Sequence, residues 1–156
     1  MLKKGLKKAL NHLGFDLVRA TPAWKIPPFE WLKAYKFGTF VDVGAHVGEY
    51  VDFARSLWPT ADVYAFEPLK EVFSTLEAKK ATTPTLKAFN VAVGSEKGTV
   101  DLHRSSHAPS SSLLPMHSLH KEAFPFSAGE TTTQTDVITL DDFFAKVEVK
   151  PDVFVK

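Results

Sequence analysis

The chain has 156 residues, 44% of them hydrophobic and 24% charged, with a net charge of +1 and no cysteine. That length suits one domain, and the composition is that of an ordinary globular protein. Disulfides and thiolate metal sites are excluded, and no apolar run reaches the ~20 residues that a membrane-spanning helix needs.

The net charge hides an asymmetry. Up to Gly38 eight basic residues face two acidic ones, and after it eleven face sixteen. Leu2, Leu6, Leu10 and Leu13 recur at helical spacing, with Lys3, Lys4, Lys7 and Lys8 around the rest of the turn. A basic amphipathic helix of this kind either lies on an anionic membrane surface or packs its leucines on the domain with its lysines solvated. The short apolar stripe favours packing, and peripheral membrane contact stays as the alternative. The charge of a signal n-region is present without an apolar h-region, which reads as a cytoplasmic protein. Residues 15–18 read as a short strand and 21–28 as a linker, because Pro22, Pro27 and Pro28 oppose helix. Residues 29–36 read as one more short helix. On this reading 1–38 is an N-terminal extension and 39–156 the main domain.

The organising stretch comes next. An apolar strand over 40–43 contains Asp42 and runs into a glycine-bounded turn, Gly44-Ala45-His46-Val47-Gly48. A helix-like run over 49–58 is stopped by Pro59 and Thr60, and a second apolar strand over 63–66 ends at Glu67, followed by Pro68. Strand, glycine turn, helix and strand with a terminal acid make the βαβ unit that binds nucleotide-like cofactors. Gly44 lets the chain turn off the strand, and Gly48 is expected to let the backbone approach a ligand or the strand. Glu67 lies 19 residues past Gly48, near the ~20 that places an acid on a ribose.

Further on, Leu69, Val72, Phe73 and Leu76 predict a helix over 69–80 with one buried stripe. Residues 86–93 read as a third strand, 94–98 as a turn and 99–103 as a further strand. The stretch 104–130 has no sustained period, and a loop that long is usually functional or disordered. Residues 134–140 read as a strand, 141–147 as a short helix, and 153–155 as a buried strand. The sequence thus predicts an α/β, Rossmann-like fold with a mostly parallel sheet.

The choice of cofactor turns on one position. A dinucleotide site wants a glycine in the middle of the turn to admit a pyrophosphate, and here that residue is His46. Glu49 would also set negative charge beside phosphates. S-adenosylmethionine carries an ammonium, a sulfonium and a ribose but no phosphate, and the residues favour it over NAD. Asp42 is expected to face the amino group, directly or through water, and Glu67 to accept hydrogen bonds from the ribose hydroxyls. Gly44, Ala45, His46 and Gly48 would supply backbone contact beside Pro68. Asn90 sits near the adenine or is an ordinary turn residue, the two readings being even. His103, His107, His117 and His120 have no carboxylate or thiolate at ligand spacing, so no metal site is predicted. Asp141 and Asp142 are better explained by helix capping and the helix dipole. The basic residues lack interleaved aromatics, so no nucleic-acid partner is expected.

The runs FVDVGAHVGEY, AFEP, NVAVGSEKGTV, SSSL, VITLDDFF and DVFVK occur in that order, and together they resemble the FkbM-type methyltransferases from about residue 39 onward. Members of that family often have Asn where this chain has His46. The resemblance implies a class I S-adenosylmethionine-dependent fold with helices on both faces of the sheet. It also implies methyl transfer to a hydroxyl oxygen of a sugar, glycolipid or polyketide-like product. It matches Ser110-Ser111-Ser112-Leu113 to a serine-rich stretch that orders over cofactor or substrate, with Ser111 and Ser112 as substrate candidates and a plain linker as the even alternative. In the family the strand matching DVFVK continues into an acidic, glycine-containing segment. The expectation is therefore a C-terminally incomplete domain that binds cofactor without turnover, with no catalytic residue assigned. A cofactor-binding but inactive fragment is the first alternative and an NAD-binding oxidoreductase the second. An open edge at 153–155 would favour association of copies into a homo-oligomer.

Overall fold

The computed structural model describes residues 27–105, 111–113, 117–124 and 130–156. The predictions for 1–26, including the basic helix, the 15–18 strand and Pro22, lie outside the described residues, as does His107. The chain divides into two units, 1–31 and 32–156. Of the first, 27–31 are described; they open a 3-10 helix, Pro27–Ala34. Pro27 and Pro28 thus start a helical turn, where a missing N–H leaves nothing unpaired, although prolines oppose helix elsewhere.

The second unit holds β1 (Thr39–Val43), α1 (Glu49–Leu57), β2 (Asp62–Phe66), α2 (Lys70–Ala78), β3 (Leu86–Phe89), β4 (Ala92–Val93) and β5 (Gly98–Ser105). It continues with α3 (Ser118–Ala123), β6 (Glu130–Ile138), α4 (Leu140–Phe144) and β7 (Val153–Val155). Four strands form a parallel sheet in the order β3-β2-β1-β7, and three more form a second sheet in the order β4-β6-β5. The fold is α/β with a mainly parallel sheet, as the sequence predicts.

Both faces of the parallel sheet are covered, which is why β1 and β2 read as continuous apolar runs. In the parallel register Val41 pairs with Tyr64 and Val43 with Phe66. On that face Phe143 of α4 sets its ring edge-on against Tyr64, Phe66 and Phe89 at centroid distances of 5.1–5.5 Å. On the other face Phe40 meets Phe154 at 5.7 Å, and Trp58 meets Phe154 at 5.7 Å. Val51, Phe53 and Ala54 of α1 are buried there. Each large apolar side chain so buried contributes about 1.5–3 kcal/mol.

Three elements differ from their predictions, the first being the strand 153–155, expected to be buried but with Val153 and Val155 exposed beside the half-buried Phe154. The expected strand 86–93 is cut at Asn90 and Val91, and its second half joins the other sheet as β4, parallel to β6. The amide of Asn90 donates to the carbonyls of Glu67 at 2.8 Å and Pro68 at 3.0 Å, which turns the chain out of the first sheet. The featureless stretch 104–130 contains the end of β5, the start of β6 and α3. β5 and β6 pair antiparallel from Gly98↔Val137 to Ser105↔Glu130. Thr139 caps α4, its hydroxyl accepting from the Asp142 amide at 3.0 Å, with Asp141 and Asp142 in the first turn.

Candidate functional site

The turn after β1 is built from left-handed residues. Gly44 (φ 75°), His46 (φ 50°) and Gly48 (φ 81°) all have positive φ within five positions. Glycine takes that conformation freely, and histidine and asparagine are among the few other residues enriched in it. That accounts for a histidine where a β-branched or bulky apolar residue would be strained. The two glycines differ in their second task. A Cβ on Gly44 would meet nothing within 4 Å, so this glycine faces open space. A Cβ on Gly48 would lie 2.9 Å from Leu76 Cδ1 and 3.0 Å from Lys79 Cδ. Gly48 therefore admits α2 against the start of α1, a correction to the expectation that its close approach serves a ligand or the strand.

The N–H groups of the turn are turned inward. Gly44 and Ala45 donate to the Phe66 carbonyl at 2.9 and 3.0 Å, and Gly48 donates to the Ala45 carbonyl at 2.8 Å. The His46 amide donates to Glu67 Oε2 at 2.8 Å, and the Leu69 amide donates to Glu67 Oε1 at 2.8 Å. Both oxygens of Glu67 thus tie the two strand ends together, and each keeps a lone pair for a further donor. Lys79 secures the far side of the turn, donating to the Gly48 carbonyl at 3.1 Å and pairing with Asp52.

Asp42 is in the opposite state. It is wholly buried, and among the described residues neither carboxylate oxygen has a hydrogen-bond donor. The Lys156 ammonium lies 3.1 Å from Oδ1 as an ion pair. Burial pushes the Asp42 carboxyl above the ordinary aspartate range, the Lys156 charge works against that shift, and the Glu67 carboxylate adds to it.

Above these groups is a cavity of about 360 Å³. The turn contributes Gly44, Ala45 and His46, the first turn of α1 Glu49 and Tyr50, and the end of β2 Glu67, Pro68 and Leu69. Leu102 of β5, Ser111 and Lys156 complete the wall. The cavity lies at the carboxyl ends of β1, β2 and β7, where open α/β sheets bind ligands. A second cavity of about 580 Å³ shares Pro68 and Leu69 and is lined by Asn90, Arg104 and the β6 residues 131 and 133–136.

The structure therefore brings Gly44, Ala45, His46, Glu67, Pro68 and Ser111 to one cavity. Asp42 lies buried at the strand end, Gly48 faces α2, and Asn90 lines the neighbouring cavity. Ser112 is outside the lining; its backbone exchanges two hydrogen bonds with His103 at 2.8 and 3.0 Å, holding the loop on β5. Tyr50, Leu69, Leu102 and Lys156 line the cavity without having been singled out, and Lys156 had a readable signal, since it follows an apolar strand as Glu67 does. Among the described residues no group of three His, Cys, Asp or Glu side chains is placed to hold a metal ion, and no helix is long and apolar enough to cross a membrane.

Chemically, the cavity offers two carboxylates, Glu49 and Glu67, one ammonium, Lys156, and the aromatic face of Tyr50 to a ligand, with Asp42 buried behind them, while the four named turn amides are already bonded. It suits a ligand with positive charge and hydroxyl donors better than one with phosphates.

A family model described as the methyltransferase FkbM domain matches residues 42–156. Among solved structures, the methyltransferase FkbM of Methylobacillus flagellatus KT is similar in fold, with a TM-score of 0.52 and 16% identity. That match covers 86% of this chain and 29% of the other, so this chain spans less than a third of that protein's length. A putative rRNA-methylase of Clostridium thermocellum aligns with a TM-score of 0.37 and 17% identity over 49% of this chain and 45% of its own. No curated protein matches. With the family model covering most of the chain, from the end of β1 onward, the chain belongs to the FkbM methyltransferase domain family.

Proposed function

We propose that the 360 Å³ cavity binds S-adenosylmethionine and that the protein transfers its methyl group to a hydroxyl oxygen of a sugar, glycolipid or polyketide-like acceptor. The observation that carries this reading is Asp42, a fully buried carboxylate at the end of β1 that accepts no backbone amide among the described residues and is met by the Lys156 ammonium, beside a cavity lined by Glu49 and Glu67. Such a group calls for a cation, and the turn next to it has no free amide among the four named to offer a phosphate. Bound S-adenosylmethionine supplies an electrophilic methyl group on a sulfonium.

The residues of this chain would do the rest by binding and orientation. Glu67 has one lone pair left on each oxygen for a ribose hydroxyl, in addition to the His46 and Leu69 amides it already accepts. Gly44 leaves open space for close approach of the ligand. Asp42 answers the ammonium. The adjoining 580 Å³ cavity, lined by Thr131, Thr133 and Gln134, provides hydroxyl and amide groups suited to a polyhydroxylated acceptor. Methyl transfer needs alignment and exclusion of water more than covalent help from the protein. Calorimetric titration with S-adenosylmethionine, S-adenosylhomocysteine and NAD tests the proposal. Heat is expected from the first two only; binding of NAD alone would reject it.

A further inference from the structure

A cation already occupies the polar end of the first cavity. The Lys156 ammonium is 3.1 Å from Asp42 Oδ1 and 4.4 Å from the centre of the Tyr50 ring. Tyr50 and Lys156 both line the cavity. The two members of the ion pair differ in freedom. The Asp42 side chain is 0% exposed and its strand is hydrogen-bonded to β2 and β7 on either side. The Lys156 side chain is 34% exposed, on a flexible four-carbon stem. The acid is fixed and the lysine can leave. It cannot leave without replacement, because a buried carboxylate with neither a hydrogen-bond donor nor a counter-charge is strongly disfavoured. A carboxylate set beside an aromatic face is also the arrangement that recognises the ammonium of a ligand.

We infer that Lys156 is an internal stand-in for the ligand's cation, holding the Asp42–Tyr50 subsite until an ammonium-bearing ligand exchanges with it. The inference rests on the cofactor reading above and deepens it. Lys156 becomes a specificity-determining residue. A neutral nucleoside brings hydroxyl and amino donors but no positive charge to replace that of the lysine. A ligand with an ammonium does, and its affinity is lowered by whatever holds Lys156 in place.

The experiment compares S-adenosylhomocysteine, which has an ammonium, with 5′-methylthioadenosine, the same nucleoside thioether without the amino-acid tail. Both are titrated by calorimetry into the parent chain and into Lys156→Met, Lys156→Gln and Lys156→Arg, each checked for folding by thermal melt. The neutral variants should bind S-adenosylhomocysteine roughly three- to thirty-fold more tightly, the range expected for releasing a half-exposed ion pair and a cation–π contact. Affinity for 5′-methylthioadenosine should not change, and Lys156→Arg should match the parent. Weaker or unchanged S-adenosylhomocysteine binding in both neutral variants, or an equal gain for both ligands, overturns the exchange while leaving the cofactor reading standing. Failure of the folded parent to bind either ligand overturns both.

Discussion

The ends of β1 and β2 each carry a buried carboxylate, on neighbouring parallel strands, and the two are treated in opposite ways. Glu67 accepts two backbone amides and joins the glycine turn to the residue that precedes α2. Asp42 accepts none among the described residues and has a lysine for company. The contrast separates a group that builds the site from one that waits in it. A carboxylate bonded through both oxygens stabilises the fold whether or not a ligand is present. One left without donors lowers stability in the free protein and recovers the loss when a suitable partner binds.

Substitutions at these strand ends can break that distinction or sharpen it. The largest effect is expected from Glu67→Ala, which strands the His46 and Leu69 amides and should lower unfolding free energy by about 2–4 kcal/mol. Chemical denaturation would measure it, and a loss below ~1 kcal/mol would mean that the staple contributes little. Gly48→Ala should follow, at about 2–3 kcal/mol, since it adds a Cβ at φ 81° that meets Leu76 and Lys79. Gly44→Ala has open space and should cost only about 1 kcal/mol from its positive φ. Equal losses at the two glycines would contradict the packing role of Gly48.

Asp42→Asn should act in the opposite direction and stabilise the free protein at neutral pH, by on the order of 1 kcal/mol. The sign follows from the raised carboxyl of Asp42. The folded state holds that proton more tightly than the unfolded state, so this group's contribution to stability falls as pH rises from the ordinary aspartate range through the raised folded value. Above that window the full penalty is present, and Asn removes it. Melting temperatures at pH 4 and pH 7 would show a gain for the variant that grows with pH. A variant less stable than the parent at pH 7 would place Asp42 with Glu67 as a building group. The smallest effect is expected at His46, where Asn tolerates φ 50° still better and should add about 0.5 kcal/mol. A thermal melt that drops for His46→Asn would point to a contact of the imidazole itself.

The βαβ unit was legible because its signals are local. Buried parallel strands read as apolar runs, glycines mark the turn, and the acids follow the strands directly. The same rule, applied to the residue after 153–155, selects Lys156, which a search for terminal acids passes over because it is a base. Tyr50 and Leu102 carried no such mark. Each is an apolar or aromatic residue within its own element, and it reaches the cavity through tertiary placement that a local pattern does not encode. The split of 86–93 into β3 and β4 was hidden for a related reason. The run is apolar throughout except for one asparagine, and what breaks it is that amide bonding to Glu67 and Pro68 carbonyls more than twenty residues away. The helix α3 stayed hidden because its six residues are too few to show a period.

The pairing of β7 with β1 has a kinetic side. Thr39 lies opposite Asp62 on one flank and Val153 on the other, so the two contacts close loops of 23 and 114 residues. Loop-closure entropy alone makes the second about 1.4 kcal/mol harder to form. β7 should therefore be the later of the two neighbours to dock on β1. Lys156 goes with it, because its backbone is hydrogen-bonded to Val41 and Val43 at the end of that strand. Amide exchange should therefore run faster at Val43, which donates to Lys156, than at Gly44, which donates to Phe66. The cation beside Asp42 is thus carried on the neighbour of β1 whose pairing closes the longer loop.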